Sequence, residues 1–179
     1  MSRIELAPDW GTAPFLDPAL WGRDPLAQSI WGNPPHFAAE TFPWNEPTMH
    51  RAQIPAANAI GTARSIAKFY SCLAAGGSPI LSDHSVLLGR KTVSDGIEEL
   101  HGWHRRTGVG FELQTEFLHL GPAEDAFGHG GAGGSKHGAW PGHLVGFSYS
   151  MNLMREPTSG DIRAHRLLAA LHSCLERQI

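Results

Sequence analysis

The spacing of apolar residues changes period along the chain, and each period predicts a different element. After Thr62, Ile66, Phe69, Tyr70 and Leu73 recur at three- and four-residue intervals, and Gly76-Gly77 follows. This predicts an amphipathic helix capped by Thr62 and stopped by the two glycines. A shorter helix is predicted from Ser82 to Leu88, residues 89–107 are polar without a clear period, and Val109–Leu113 reads as a short strand. From Leu144 to Leu153 the period is two: Val145, Phe147, Tyr149 and Met151 alternate with Gly146, Ser148, Ser150 and Asn152. A strand with one bulky and one small face is expected, and the small face would let another element pack closely. Over Asp161–Arg177 the helical period returns, with Ala164, Leu168, Leu171 and Leu175 on one stripe. His129–Gly134 is expected to form or flank a strand paired with Leu144–Leu153. A Trp140-Pro141-Gly142 turn would join them, with Gly142 taking the positive φ.

No such period is visible over residues 1–58. That stretch holds nine of the thirteen prolines and four of the six tryptophans. Each proline removes an N–H donor and restricts the residue before it. The aromatics Trp10, Phe15, Trp21, Trp31, Phe37, Phe42 and Trp44 argue against a solvated linker. The expected organisation is an irregular Pro/Trp-rich segment over 1–58, laid on a core formed by 59–179.

Composition narrows the function classes. The chain has 179 residues with 41% hydrophobic and 17% charged, enough for a packed core and too apolar for wholesale disorder. A net charge of −3 disfavours a nucleic-acid binder. No apolar run reaches the length of a membrane span, and the N-terminus MSRIELAPDW has no signal-type apolar region. Cys72 and Cys174 lie far apart with no C-x-x-C spacing, which fits a reducing, cytoplasmic setting.

Three patterns invite a chemical reading. Gly128-His129-Gly130-Gly131-Ala132-Gly133 has the form G-x-G-x-x-G. The residues after it, Gly134-Ser135-Lys136-His137-Gly138-Ala139-Trp140-Pro141, cannot begin the helix that a dinucleotide fold places there, so a nucleotide cofactor is rejected. His101, His104, His119, His129, His137 and His143 invite a metal, but no carboxylate or cysteine stands at a standard ligand spacing. They read as surface histidines, and no metal and no cofactor are expected. Ser65-Ile66-Ala67-Lys68 has the form S-x-x-K, which places a hydroxyl and an amine on one helical face. Both residues read equally as polar positions of an amphipathic helix.

Two blocks carry a family resemblance. FGHGGAGGS (Phe127–Ser135) is followed by GFSYSMNLM (Gly146–Met154), and IPAANAIGTARSIAKFYSCLAAGG (Ile54–Gly77) precedes them. Together with Trp44-Asn45 and Val109-Gly110-Phe111, they make the chain resemble the β-lactamase-related serine hydrolases, among them class C β-lactamases and family VIII esterases. The resemblance runs from about Trp44 to the C-terminus. It implies an α/β (α+β) fold, part of a β-lactamase-like domain, with antiparallel strands and flanking helices. His129-Gly130-Gly131 matches the family's third motif. The resemblance therefore implies that His129 is catalytic, that Gly130 and Gly131 bind substrate, and that the Ala132 backbone N–H is an oxyanion donor. Glycines there clear a strand edge for substrate.

The same resemblance assigns the family's nucleophile and its Tyr-x-Asn motif to elements preceding the Ala63-Arg64 helix. Ser65 and Lys68 thus stand in the wrong helix to be the nucleophile pair, and no Tyr-x-Asn is present. The chain reads as the C-terminal half of such a domain, with a C-terminal helix on one sheet face and the other face open. It would turn over a small-molecule ester or amide only when completed, through self-association or a complementing chain. Neither nucleic acid nor membrane is an expected partner. Two alternatives stand beside this one: a non-catalytic interaction protein using the exposed half-sheet face, and a hydrolase rebuilt around Ser65 and Lys68.

Overall fold

The computed structural model describes residues 3–8, 10, 25–32, 42–57, 59–99, 102–155 and 162–177. Their contacts divide into two compact units. One comprises Met1–Gly61, Ala132–Gly134 and Met151–Asp161, and the other Thr62–Gly131, Ser135–Ser150 and Ile162–Ile179.

In the first unit, strand β1 (Glu5–Leu6) pairs in parallel with β8 (Leu153–Met154). Two short helices, α1 (Pro25–Trp31) and α2 (Pro47–Arg51), each begin on a proline. Prolines were expected only to interrupt structure here. In a first helical turn, however, the missing N–H has no intrahelical partner to lose. Trp10 and Met154 form a small buried cluster with Ile4, Leu6, Phe42 and Met151 against it. The Asn45 side chain ties down the β1 end: its Oδ1 accepts the Ile4 N–H at 2.7 Å and its Nδ2 donates to the Ile4 carbonyl at 2.9 Å. Phe15, Trp21 and Phe37 lie outside the described residues.

The second unit is built on a six-stranded antiparallel sheet in sequential order. Its strands are β2 (Ser94–Ile97), β3 (His104–Thr107), β4 (Glu112–Leu113), β5 (Phe127–Gly130), β6 (Lys136–Trp140) and β7 (Val145–Tyr149). Its helices are α3 (Ala63–Ala74), α4 (Asp83–Gly89) and α5 (Arg163–Glu176). Thr62 and Ser65 form a reciprocal capping box at the start of α3, and Gly76 and Gly77 turn the chain out of it at φ 92° and 100°.

The β5–β7 pairing differs from the expected one. β5 pairs with β6, register Gly130↔Lys136 and Phe127↔Ala139, and only β6 reaches β7. The glycine-dense run Gly128–Gly142 concealed β6, whose alternation is broken by small residues. The turn after β6 is a 3₁₀ turn over Pro141–His143, and Leu144, not Gly142, takes the positive φ, at 53°. The predicted strand 144–153 accordingly splits, and Leu153–Met154 belongs to the first unit.

Both faces of the sheet are covered over β5–β7, against the expectation of one open face. On one face Tyr70, Leu73 and Ala74 of α3 and Val86 of α4 pack on Leu113, Phe127 and Ala139. On the other, Leu168 of α5 joins Leu120, Ala123, Ala126, Trp140 and Phe147. The Trp140 indole N–H donates to the Leu120 carbonyl at 2.9 Å, so its polar atom is satisfied inside the core. Many large apolar side chains remain exposed around this core, among them Leu87, Ile97, Val109 and Phe117. No helix among the described residues is long and apolar enough to cross a membrane.

Helix α3 reaches the sheet through Gly146. A side-chain carbon there would overlap the backbone of Tyr70 and Ser71 and stand 2.6 Å from the Ala67 carbonyl oxygen. Backbone atoms cannot rotate away, so the helix would have to lift. Gly146→Ala is expected to cost about 1–3 kcal/mol in urea unfolding. Gly96→Ala, at a position with open space around it, should stay within about 0.5 kcal/mol of the parent. Equal midpoints for the two variants would contradict the close packing.

Candidate active-site strand

The residues His129, Gly130 and Gly131 stand at the end of β5 and the start of the loop to β6. The loop stem is closed by the Gly131 N–H donating to the Ser135 carbonyl at 3.0 Å. Ala132, next in the chain, lies in an exposed turn and belongs with Gly133 and Gly134 to the first unit. Its N–H has no hydrogen-bond partner among the described residues. Gly133 and Gly134 both have positive φ, 83° and 108°, which lets the chain reverse there.

The glycines of this strand are not equivalent. A Cβ on Gly128 would overlap the His137 carbonyl oxygen and lie 2.6 Å from the Gly138 Cα, so the fold itself demands glycine. The nearest atoms to a Cβ on Gly130 would belong to the flexible side chains of Lys136, at 3.3 Å, and Glu112, at 3.8 Å. A Cβ on Gly131 would overlap the Ser135 hydroxyl, a side-chain end that can rotate away, and would meet no backbone. Packing therefore does not require Gly130 or Gly131 to lack a side chain.

β4 stops two residues short of pairing with Gly130 at the end of β5, and a side chain takes its place. Glu112 Oε2 accepts the Gly130 N–H at 3.1 Å. The same carboxylate is paired with Arg105 on β3 and lies 3.8 Å from His119 Nε2. Burial pushes the Glu112 carboxyl up. The charge of His129, the Gly130 N–H, Arg105 and His119 together outweigh it and hold the group below its ordinary value. His119 is held low by burial first, with Lys136, Arg105 and His165 acting the same way against the pull of Glu112. Across β5 and β6, His129 faces His137, whose Nδ1 lies 2.7 Å from the Ser148 hydroxyl. Burial, helped by the charge of His129, holds His137 low as well. An exposed His129 thus lies across from a His137 whose protonation is disfavoured, and its charge favours the ionised form of Glu112.

The other candidates are not brought to this strand. Ser65 Oγ donates to the Thr62 carbonyl at 2.9 Å and accepts the Thr62 N–H at 3.0 Å, so its hydroxyl is committed to the cap of α3. His104 lies on β3, between Asp95 at 2.7 Å and Glu116 at 2.9 Å. His101 lies outside the described residues. Glu112 was not singled out in the sequence. Its one signal is a carboxylate between Phe111 and Leu113 in a short apolar strand, and its role depends on where β4 ends.

The beta-lactamase family model matches residues 7–172. Among solved structures, a family VIII carboxylesterase is 33% identical with a TM-score of 0.74, over 82% of this chain and 40% of that one. A penicillin-binding protein homologue from Caulobacter crescentus is 27% identical with a TM-score of 0.71, over 84% of this chain and 40% of its own. The chain therefore spans about 40% of the length of either structure. No curated protein matches it.

The electrostatics of this strand predict acid lability in two steps. His119 and His137 are depressed below 6.5 in the folded state. Each contributes stability that is complete above that value and is lost as pH falls toward the folded pKa. Glu112, depressed below 4.5, contributes stability that is complete above that value and lost as pH falls through its folded pKa. His104 is raised by its hydrogen bonds to Asp95 and Glu116, so it acts in the opposite sense, but it is exposed and screened by salt. In urea unfolding at moderate salt, His137→Asn should flatten the decline below pH 6.5. Glu112→Gln should lower stability by about 1–3 kcal/mol at pH 7 and flatten the decline below pH 4.5. Unaltered pH profiles in both variants would contradict this assignment.

Proposed function

Because the chain belongs to the beta-lactamase family, we propose that it supplies the oxyanion side of a serine-hydrolase site acting on a small ester or amide. The observation that carries this reading is the contrast among the β5 glycines. Gly128 is glycine because the neighbouring backbone leaves no room, whereas the nearest atoms a Cβ on Gly130 or Gly131 would meet belong to movable side chains. A cleared strand end beyond what packing needs suits a substrate laid along it.

In the proposed reaction a serine oxygen attacks the substrate carbonyl carbon and passes its proton to a base beside it. The carbonyl oxygen becomes an oxyanion, and the Ala132 N–H donates to it where its charge develops. One such donor supplies about 10²–10³ in rate. His129 borders the acyl group from β5, and Gly130 and Gly131 let the substrate lie against the backbone. The alcohol or amine then leaves with a proton, and water releases the acid. The nucleophile comes from a segment other than α3, since the Ser65 hydroxyl serves the helix cap. That segment lies in the same or a complementing polypeptide, and exposed Leu87, Ile97, Val109 and Phe117 are the apolar contacts it would cover. A cytoplasmic setting suits the two free cysteines, Cys72 and Cys174.

The chain by itself is then expected to show no saturable hydrolysis of a nitrophenyl ester or a chromogenic cephalosporin, with Ser65→Ala indistinguishable from the parent. Saturable turnover that disappears in Ser65→Ala would overturn the reading in favour of a site rebuilt on α3.

A further inference from the structure

His143, His172 and Glu176 converge on one patch of the second unit. Each offers one ligand atom, and the three atoms lie within 4.8 Å of one another. His143 Nε2 is 3.2 Å from Glu176 Oε1, and His172 Nε2 is 3.9 Å from the same oxygen. Ligand atoms around a tetrahedral Zn²⁺ stand about 3–3.5 Å apart, so small side-chain rotations bring this set to bonding geometry.

The backbone on both sides is fixed. His143 ends the 3₁₀ turn, which is held by the Gly142 N–H donating to Asp125 Oδ2 at 2.7 Å. His172 and Glu176 occupy one face of α5, four residues apart, and Leu168 of that helix is buried beside Trp140. Both imidazoles stand edge-on to the fully buried Trp140 ring, His143 at 6.1 Å and His172 at 5.9 Å between centroids. The buried Trp140 therefore walls one side of both rings. Nδ1 of His143 is buried with no hydrogen-bond partner among the described residues. The ring's polar contact there is the one to Glu176.

We propose that His143, His172 and Glu176 form a binding site for a borderline divalent cation of the Zn²⁺ class, with water completing its coordination. Two imidazoles and a carboxylate suit such an ion better than Mg²⁺, which prefers an all-oxygen octahedron. The bound ion would clip the turn after β6 to the C-terminal helix, and this inference stands apart from the acyl-transfer reading. Spacing in the sequence did not reveal the site, because His143 lies in a turn 29 positions before His172.

The test uses the full chain stripped with a chelator. Zn²⁺ should bind with one equivalent held tightly, and Co²⁺ should give the visible bands of a tetrahedral N/O site. At a hundredfold excess over Kd, Zn²⁺ should raise Tm by about 5–10 °C and Mg²⁺ should not. His172→Ala and Glu176→Gln should each weaken Zn²⁺ binding at least about tenfold and lose the shift, while His84→Ala on α4 keeps both. Glu176 is exposed at the last turn of α5, so its variant separates loss of binding from loss of fold. Absence of binding, or binding equal in the parent and both site variants, would overturn the proposal.

Discussion

Helix α3 lies on the backbone of β7 because Gly146 places no atom between them. That contact brings Tyr70, Leu73 and Ala74 down onto Phe127 and Ala139, and it makes β5 and β6 a buried middle layer. Helix α5 closes the opposite face on Trp140 and Phe147. A thin sheet clamped from both sides can hold strand ends rigidly even where the ends carry no side chains. The end of β5 is such a place. Burial of Phe127 fixes the strand at its start, with Arg90 over the ring at 4.8 Å.

At its far end β5 depends on charge. Where β4 stops, the Glu112 carboxylate serves as the missing ladder acceptor for Gly130. Its ionised form is favoured by the groups gathered around it, the Gly130 N–H and Arg105 among them. Leaving the Gly130 N–H unpaired would cost more than the exchange of one hydrogen bond for another. Position and electrostatics are therefore one device here: the group that aligns the strand end also sets the field beside His129. In the proposed acyl-transfer role this arrangement would have a use, since that chemistry rewards donors fixed before charge develops.

Helices α3, α4 and α5 were legible because their signals are local, whereas α1 and α2 were hidden among the prolines that start them. Thr62 with Ser65, Gly76-Gly77, and the stripe of Leu168, Leu171 and Leu175 each lie within a few residues of one another. The small face of β7 was legible too, and α3 occupies it. β6 was not, because Gly138 and Ala139 weaken its alternation and Phe127 supplies the packing from another strand. β2 and β3 were hidden by polar residues that the hairpin uses for cross-strand ion pairs, such as Arg106 with Asp95. The β5 motif was readable as a pattern. Its support by Glu112 depends on strand length and register, and so does the closing of the second face by α3. Neither is a property of a short sequence window.

The reading of the β5–β6 hairpin as one wall of an acyl-transfer site can be tested by transplanting it. Residues 127–140 would replace the matching hairpin in the 33%-identical family VIII carboxylesterase, and ester turnover of the chimera would be measured. The account predicts a folded enzyme with kcat/KM within about tenfold of its parent. A chimera with the parent's circular dichroism and melting profile but turnover lowered by about 10³-fold or more, the loss expected from a missing oxyanion donor, would contradict it.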